Sequence, residues 1–441
     1  VTSGRDVFDV GSELQIDAHD GPTYSATIWL GSTSILIAAR HRRPDDAASG
    51  QYLVAAATQR QTDLQLVGLR DVEMMRNVTG STLPGTPEEN DRDLALDFDK
   101  AVLIILVIVG HLIQYLLYRD EGFWDSPFFK WIYMFDMPLF MAISGYLSCR
   151  ALLRKSLMQA VGDRAMQLLV PMLFWCALLE TAKLAVLPRA PDASGNILQL
   201  LNDVAGTYWF IWAALVCFLF VKILSIFNRW SPWILFLSVI LVALAPLTFS
   251  IFPLIKYTYP FFCLGFSFAQ SRDWWTSITG AYKPLLIMSA SIAALVCFLA
   301  WRKDTYVYNN LALVKDMQSA KDVLLMLFGS AAASAIMSEL FRQCWRVGRS
   351  NRVVRFIAVE IGQSTLVLYL IQGMAFRLMD SIPYAEPLDL TSKLAVAGIL
   401  GAAIVLVALM VRRTVHDIPY LSQLILGTSP PRPMSSGAAC G

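Results

Sequence analysis

From Leu94 onward the chain is a succession of long apolar runs with short polar interruptions, and this confines it to a membrane-spanning fold. Hydrocarbon offers no hydrogen-bond partners, so a spanning segment must satisfy its own backbone, which such a run does as a helix. The runs fall at 97–118, 128–148, 165–187, 207–227, 232–251, 253–270, 283–301, 322–343, 353–376 and 393–411. The pattern predicts an all-α polytopic integral membrane protein, a bundle of about ten transmembrane helices. The fifth and sixth runs are separated only by the Ser250–Pro253 turn, which also suits a re-entrant pair. Composition agrees: only 16% of the 441 residues are charged, too few to coat a soluble protein of this length.

Residues 1–91 read as a separate N-terminal extension of unknown role, 92–427 as the transmembrane domain and 428–441 as a cytoplasmic tail. The extension is polar and mixed, without sustained periodicity, and both a small β-rich appendage and a disordered segment fit it. Its most apolar stretch, Tyr24–Ala39, is too short and too rich in Ser and Thr to span a bilayer, and it lacks the flanks of a signal peptide. The Asn77–Thr79 sequon carries little weight in such a segment. Seven scattered cysteines without CxxC spacing indicate neither a metal site nor a disulfide framework. A formal charge of +2 without a basic tract gives no reason to expect nucleic acid as a partner.

The loops set an orientation. Arg150, Arg154, Lys155 and Arg164, then Arg229, then Arg272, then the cluster Arg342–Arg355 occupy alternate connections, while the intervening ones mix signs. By the positive-inside rule the basic set faces the cytoplasm, and an even count of spans puts both termini there. In this orientation three polar residues share one depth. His111 lies roughly 10 Å below the outer end of the first helix, Asp136 roughly 12 Å down the second, and Gln372 roughly 10 Å or less below the outer end of the ninth. A histidine and a carboxylate are costly inside a membrane, and each relieves the cost of the other, so His111 and Asp136 are the candidate functional pair. Glu180 and Lys183, three apart, suit an ion pair along one helix face. Lys222 and Glu339 lie near cytoplasmic helix ends, where a lysine can snorkel. Tyr208 and Trp209 open the fourth run at the outer interface, where aromatic belts form.

These residues fall into motifs. Arg92-x4-Asp97-x2-Lys100 leads into Gly110-His111, followed in order by Phe135-Asp-Met-Pro-Leu-Phe140, Ile143-Ser-Gly-Tyr146 and Arg164-x3-Leu168-Leu-Val-Pro171. Tyr208-Trp-Phe210, Ile361-Gly-Gln-Ser364 and Leu368-Tyr-Leu-Ile371 complete the set. Over residues 92–427 the series resembles the membrane-bound acyltransferase family 3, whose members O-acylate surface glycans such as exopolysaccharide, O-antigen, Nod factors and peptidoglycan. This chain departs from the family pattern in having Lys100 where Arg is common, Asp136 and Gln372 where His is usual, and Gln167 at the second position of an expected arginine pair.

The resemblance implies an O-acyltransferase of the bacterial inner membrane. It would move an acyl group, acetyl foremost, from a cytoplasmic acyl-CoA to a sugar hydroxyl of a polysaccharide or lipid-linked oligosaccharide, with no bound cofactor and in company with polysaccharide-biosynthesis machinery. His111 would be the general base and Asp136 its support. Lys100, Arg154 and Arg164 would hold the donor phosphates, and Tyr208, Trp209, Tyr369 and Gln372 the acceptor. The principal alternative is a glycolipid or polysaccharide transporter or flippase, against which stands the lack of an evident repeat between the two halves. A scaffold whose polar residues only join helices would leave the distant motifs unexplained.

Overall fold

The computed structural model describes residues 14–18, 23–30, 33–40, 87–118, 121–186, 204–227, 232–307, 317–381 and 389–428. They belong to two compact units, Val1–Pro84 and Gly85–Gly441. The sequon and all of the 428–441 tail except Thr428 lie outside the described residues.

In the first unit, β1 (Leu14–Ala18), β2 (Thr23–Leu30) and β3 (Thr33–Arg40) form an antiparallel sheet in the order β1-β2-β3. Ile28 of β2 stands opposite Leu14 of β1 and Ile35 of β3. Only Gly31 and Ser32 separate β2 from β3 in sequence, a connection length that selects a hairpin. Of the two sequence readings of this extension, these residues take the β-rich one.

The second unit is helical. Its elements are α1 (Pro87–Leu112), α2 (Pro127–Arg154), α3 (Leu157–Val186), α4 (Trp209–Phe227), α5 (Pro232–Leu244) and α6 (Phe252–Gln270). They continue with α7 (Arg272–Ala300), α8 (Met317–Gly348), α9 (Arg352–Phe356), α10 (Thr365–Ser381), α11 (Leu390–Val415) and α12 (Pro419–Leu426). Among the described residues seven helical segments are long and apolar enough to cross a membrane, and the protein is an integral membrane protein. Every predicted run is helical over most of its length, but α4, α5 and α6 fall short of that standard. α5 has 13 residues, about 20 Å, less than the hydrocarbon thickness. The helical stretch at 97–118 begins earlier than its apolar run, because Pro87 and the acidic residues Glu88, Glu89 and Asp91 suit a helix N-terminus.

Two glycines fix the tightest crossing, between α2 and α6. A Cβ on Gly145 would lie 2.1 Å from the carbonyl oxygen of Phe262, and one on Gly265 would lie 1.8 Å from that of Ala142. The two backbones therefore touch, as small residues allow in membrane bundles. Gly265→Val should destabilise the protein by about 3 kcal/mol or more, since backbone atoms cannot yield as side chains do. Gly162→Ala, with open space around it in the interior of α3, should raise the melting temperature of the detergent-solubilised protein slightly, since alanine is favoured over glycine in a helix by about 1 kcal/mol.

Lysines serve helix ends here. Lys222 does not snorkel; it is buried and donates to the carbonyls of Leu152 and Lys155 at the end of α2, each at 2.7 Å. Those carbonyls have no partner within their helix and carry the negative end of its dipole, so a buried ammonium is well placed there. Lys130 does the same for Trp301 at 2.9 Å after α7, and Lys256 donates to the carbonyl of Ala245 after α5. Glu339 pairs with Lys283 at 2.5 Å and Arg342 at 3.1 Å, and Glu180 with Lys183 at 2.8 Å.

The segment joining α9 to α10 is irregular: a π-helical turn at Ile357–Ile361, then a 3-10 turn at Gly362–Ser364. Gly362 lets this backbone approach α1, since a Cβ there would lie 2.1 Å from the carbonyl oxygen of Asp97. Arg412 of α11 donates to the carbonyls of Val359 and Glu360 at 3.1 and 2.8 Å, to Ser364 Oγ at 3.1 Å and to Gln363 Oε1 at 2.8 Å. The Ile361-Gly-Gln-Ser364 motif is thus the joint by which three helices meet.

The buried apolar side chains form two clusters. One gathers α2, α4, α6 and α8, the other α1, α3, α10 and α11. Met137, Phe140, Phe210 and Ile357 pack against both. The seam between the clusters holds two cavities.

Candidate active site

The first cavity, about 340 Å³, is built by three helices that each present one face. α1 and its π-helical continuation Ile113–Leu117 supply Val107, Gly110, His111 and Gln114. α2 supplies Phe129, Ile132, Tyr133, Asp136 and Met137, and α10 supplies Tyr369, Gln372, Gly373, Phe376 and Arg377. All three sets follow the three- and four-residue spacing that keeps side chains on one helix face. Gly206, Thr207, Trp209 and Trp124 complete the wall. The helix changes from α to π just after His111, an irregularity often found at functional positions.

His111, Asp136 and Gln372, expected at one depth from the sequence, line this one cavity. The His111 ring packs against Tyr115 and Phe376, with centroids 5.8 and 5.3 Å away, and those two rings stack on each other at 5.6 Å. Three buried atoms, Nδ1 of His111, Oδ1 of Asp136 and Oε1 of Gln372, have no hydrogen-bond partner among the described residues. An unsatisfied buried polar atom costs about 1–3 kcal/mol, so three around one cavity call for partners that enter it, water or a polar ligand.

The second cavity, about 140 Å³, is lined by Lys100, Ile104, Val107, Met137, Phe140, Ser144, Arg164, Phe210, Leu366 and Tyr369 among others. Arg164 is half-buried, and among the described residues no carboxylate pairs with it. One terminal nitrogen donates to Ser148 Oγ at 3.0 Å, the guanidinium lies 5.7 Å from the Phe218 ring centre, and Nε has no partner. Lys100 is paired with Asp97 at 2.6 Å. Val107, Met137 and Tyr369 line both cavities.

The remaining sequence candidates sit as follows. Trp209 and Tyr369 line the first cavity, whereas Tyr208 lies behind it, fully buried, donating to the Leu370 carbonyl at 3.2 Å. Gly373 permits that approach, because a Cβ there would lie 3.0 Å from the Tyr208 ring. Tyr369 in turn accepts from the backbone N–H of Phe210 at 3.3 Å. Arg154 ends α2 on an exposed surface and lines neither cavity. Sequence reasoning missed Gln114, Tyr115, Trp124 and Arg377. Arg377 counts in the sequence as one more loop charge, yet it lies in α10 eight residues after Tyr369, and it donates through Nε to Thr207 Oγ1 at 2.9 Å. The spacing of Tyr369, Gln372, Phe376 and Arg377 on one face was the available signal.

His111, Asp136 and Gln372 thus face one cavity inside a bundle of apolar helices, and the half-buried Arg164 lines the neighbouring one. Residues 93–413 match the family described as "Acyltransferase domain", and the chain belongs to this family, the membrane-bound acyltransferase family 3; it is an O-acyltransferase. It is 54% identical over 355 residues to the Nodulation protein NolL of Mesorhizobium japonicum, covering 80% of this chain and 94% of the relative. It is 53% identical over 339 residues to the Nodulation protein NolL of Sinorhizobium fredii, covering 77% and 93%. No solved structure matches.

Asp136 gives a test at the site. Asp136→Asn removes the charge but keeps the shape. His111 and Asp136 share no hydrogen bond in the structure, so the bond at stake is the charge-assisted one formed once the ring is protonated; at about 1.5–3 kcal/mol, its loss should lower transfer about 10- to 100-fold. Asp136→His restores the residue usual in the family and should retain more activity than the amide, measured as ester formed per unit of inserted protein.

Proposed function

We propose that this protein transfers an acyl group, acetyl foremost, from a cytoplasmic acyl-CoA to a sugar hydroxyl of an exported polysaccharide or glycolipid, in the bacterial inner membrane. The observation that carries this reading is a pair of neighbouring cavities that share Val107, Met137 and Tyr369 in their linings, one with unpartnered polar atoms of His111, Asp136 and Gln372, the other with the half-buried cations Arg164 and Lys100. Anionic phosphates of the donor suit the second cavity, since Arg164 is a half-buried cation with hydrogen-bonding capacity to spare. Arg154, exposed near that end, contributes at most to the rim. The first cavity suits a sugar: the rings of Tyr115, Trp124, Tyr133, Trp209 and Phe376 offer flat apolar surfaces, and Arg377 and Gln372 offer polar groups for hydroxyls. Relatives named for nodulation favour a Nod-factor glycan among the acceptors known for the family.

The chemistry balances with the residues present. A hydroxyl is a weak nucleophile, and the imidazole of His111 takes its proton as the oxygen attacks the thioester carbonyl. The positive charge that forms on the ring is stabilised by Asp136. When the C–S bond breaks, the proton passes from His111 to the departing thiolate, leaving an ester and free CoA. Both termini and the basic loops lie in the cytoplasm in this reading, which gives CoA access to Lys100 and Arg164. Deletion of the protein should remove an acyl ester from a surface glycan without stopping its export, read by mass spectrometry. Glycans with unchanged esters, or export lost along with them, would count against an acyltransferase acting on that polymer.

A further inference from the structure

Of the three unpartnered atoms on the first cavity, two can only accept hydrogen bonds: Asp136 Oδ1, as part of a carboxylate, and the amide oxygen Oε1 of Gln372. Their residues are 3% and 1% exposed, so whatever satisfies them must enter the cavity and bring donors. Gln372 shares a face of α10 with Phe376, one turn on, and the Phe376 ring packs against that of His111 at 5.3 Å. Phe376 and Tyr115 stack within 16° of parallel. They form a flat apolar wall beside His111, suited to the apolar face of a sugar ring.

The acyl-transfer reading above, on which this inference rests, gives His111 and Asp136 their partners. The ring takes the proton of the attacked hydroxyl, and Asp136 answers the charge that forms on the ring. Gln372 Oε1 is left over and needs a second donor from the same occupant. A sugar supplies one where the hydroxyl on the next carbon is free. We propose that Gln372 is an acceptor-specificity residue: it accepts a hydrogen bond from the hydroxyl adjacent to the one acylated, so that the site takes vicinal diols. The bond also fixes the sugar with its attacked hydroxyl toward His111. A site built to bond a hydroxyl rejects the analogue lacking it, because the buried oxygen is then left unpaired.

The test gives the detergent-solubilised protein labelled acetyl-CoA and glycolipid of the producing strain, and NMR of the product identifies the sugar and carbon that carry the ester. The methyl glycoside of that sugar, and its analogue deoxy at the neighbouring carbon, then compete with the glycolipid for label. The parent glycoside should compete about 10- to 100-fold better than the deoxy analogue. Gln372→Leu should erase that preference by weakening the parent alone. Gln372→His keeps an acceptor nitrogen and should preserve the preference, a result that stands even if the leucine variant fails to insert. An ester on a carbon with no free hydroxyl beside it would overturn the diol requirement. Equal competition by the two glycosides, expected if water alone fills the place beside Gln372, would overturn it too. An undiminished preference in Gln372→Leu would overturn the role of Gln372. Wild-type protein that forms no ester on the glycolipid from acetyl-CoA would overturn the acyl-transfer reading itself.

Discussion

His111→Ala should abolish acyl transfer while leaving the protein inserted in the membrane at normal levels. Base catalysis by a positioned side chain contributes about 10²–10⁴-fold, so the loss should fall in that range or beyond it. Packing alone would not produce it. The ring meets Tyr115 and Phe376 by its faces and edges, and its replacement by a methyl group enlarges a cavity that already exists. The variant should therefore fold, and its defect should lie in turnover at saturating donor and acceptor. His111→Gln keeps polarity and some volume but cannot act as a base, and should be as inactive as the alanine variant. If His111 were only a hydrogen-bonding residue between helices, the glutamine would restore function. The unpartnered Nδ1 argues against such a joining role.

Arg164→Gln should raise the KM for the acyl-CoA donor by about 10- to 100-fold with a smaller effect on kcat. The side chain is half-buried with its Nε out of reach of solvent, and a charge-assisted hydrogen bond to a phosphate is worth about 1.5–3 kcal/mol. In the free protein the variant should be no less stable than wild type. Replacing a half-buried charge with which no carboxylate pairs among the described residues by a neutral amide removes a desolvation cost rather than an ion pair. The split between donor affinity and stability separates a binding role from a structural one. Arg154→Gln, at an exposed helix end, should change donor KM only slightly, because surface substitutions away from a site shift free energies by about 0.5 kcal/mol or less. Equal effects of the two substitutions would show that the donor is held at the membrane surface and not inside the bundle.

Much of this architecture was legible in the sequence because hydrocarbon permits so few solutions. The apolar runs gave the helices, and depth counting brought His111, Asp136 and Gln372 to one cavity. What counting along the chain misses is rotation about each helix axis. Tyr208 and Trp209 are neighbours in the fourth run, yet only Trp209 lines the cavity while Tyr208 turns away to hold α10. Arg154 and Arg164 look alike as basic residues near one membrane face, but one is exposed and the other is half-buried in the lining of the second cavity. Arg377 escaped because a cation near a helix end reads as a loop charge. Nor could local pattern reveal the π-helical turns after His111 and before Gly362, since both depend on helices distant in sequence. Lys222 illustrates the same limit: its helix-end partners are Leu152 and Lys155, about seventy residues earlier.

In the proposed reaction His111 is the general base for transfer to a glycan of an acyl group that CoA brings from the basic face of the membrane. Vesicles of known sidedness test it directly. Inverted and right-side-out vesicles from a strain carrying the wild-type protein or His111→Ala are given acetyl-CoA labelled in the acetyl group, which does not cross the bilayer. Labelled glycolipid ester should appear only in inverted wild-type vesicles, with free CoA in equal amount. Label incorporated in right-side-out vesicles would contradict the orientation, and label incorporated by His111→Ala at the wild-type rate would contradict the mechanism.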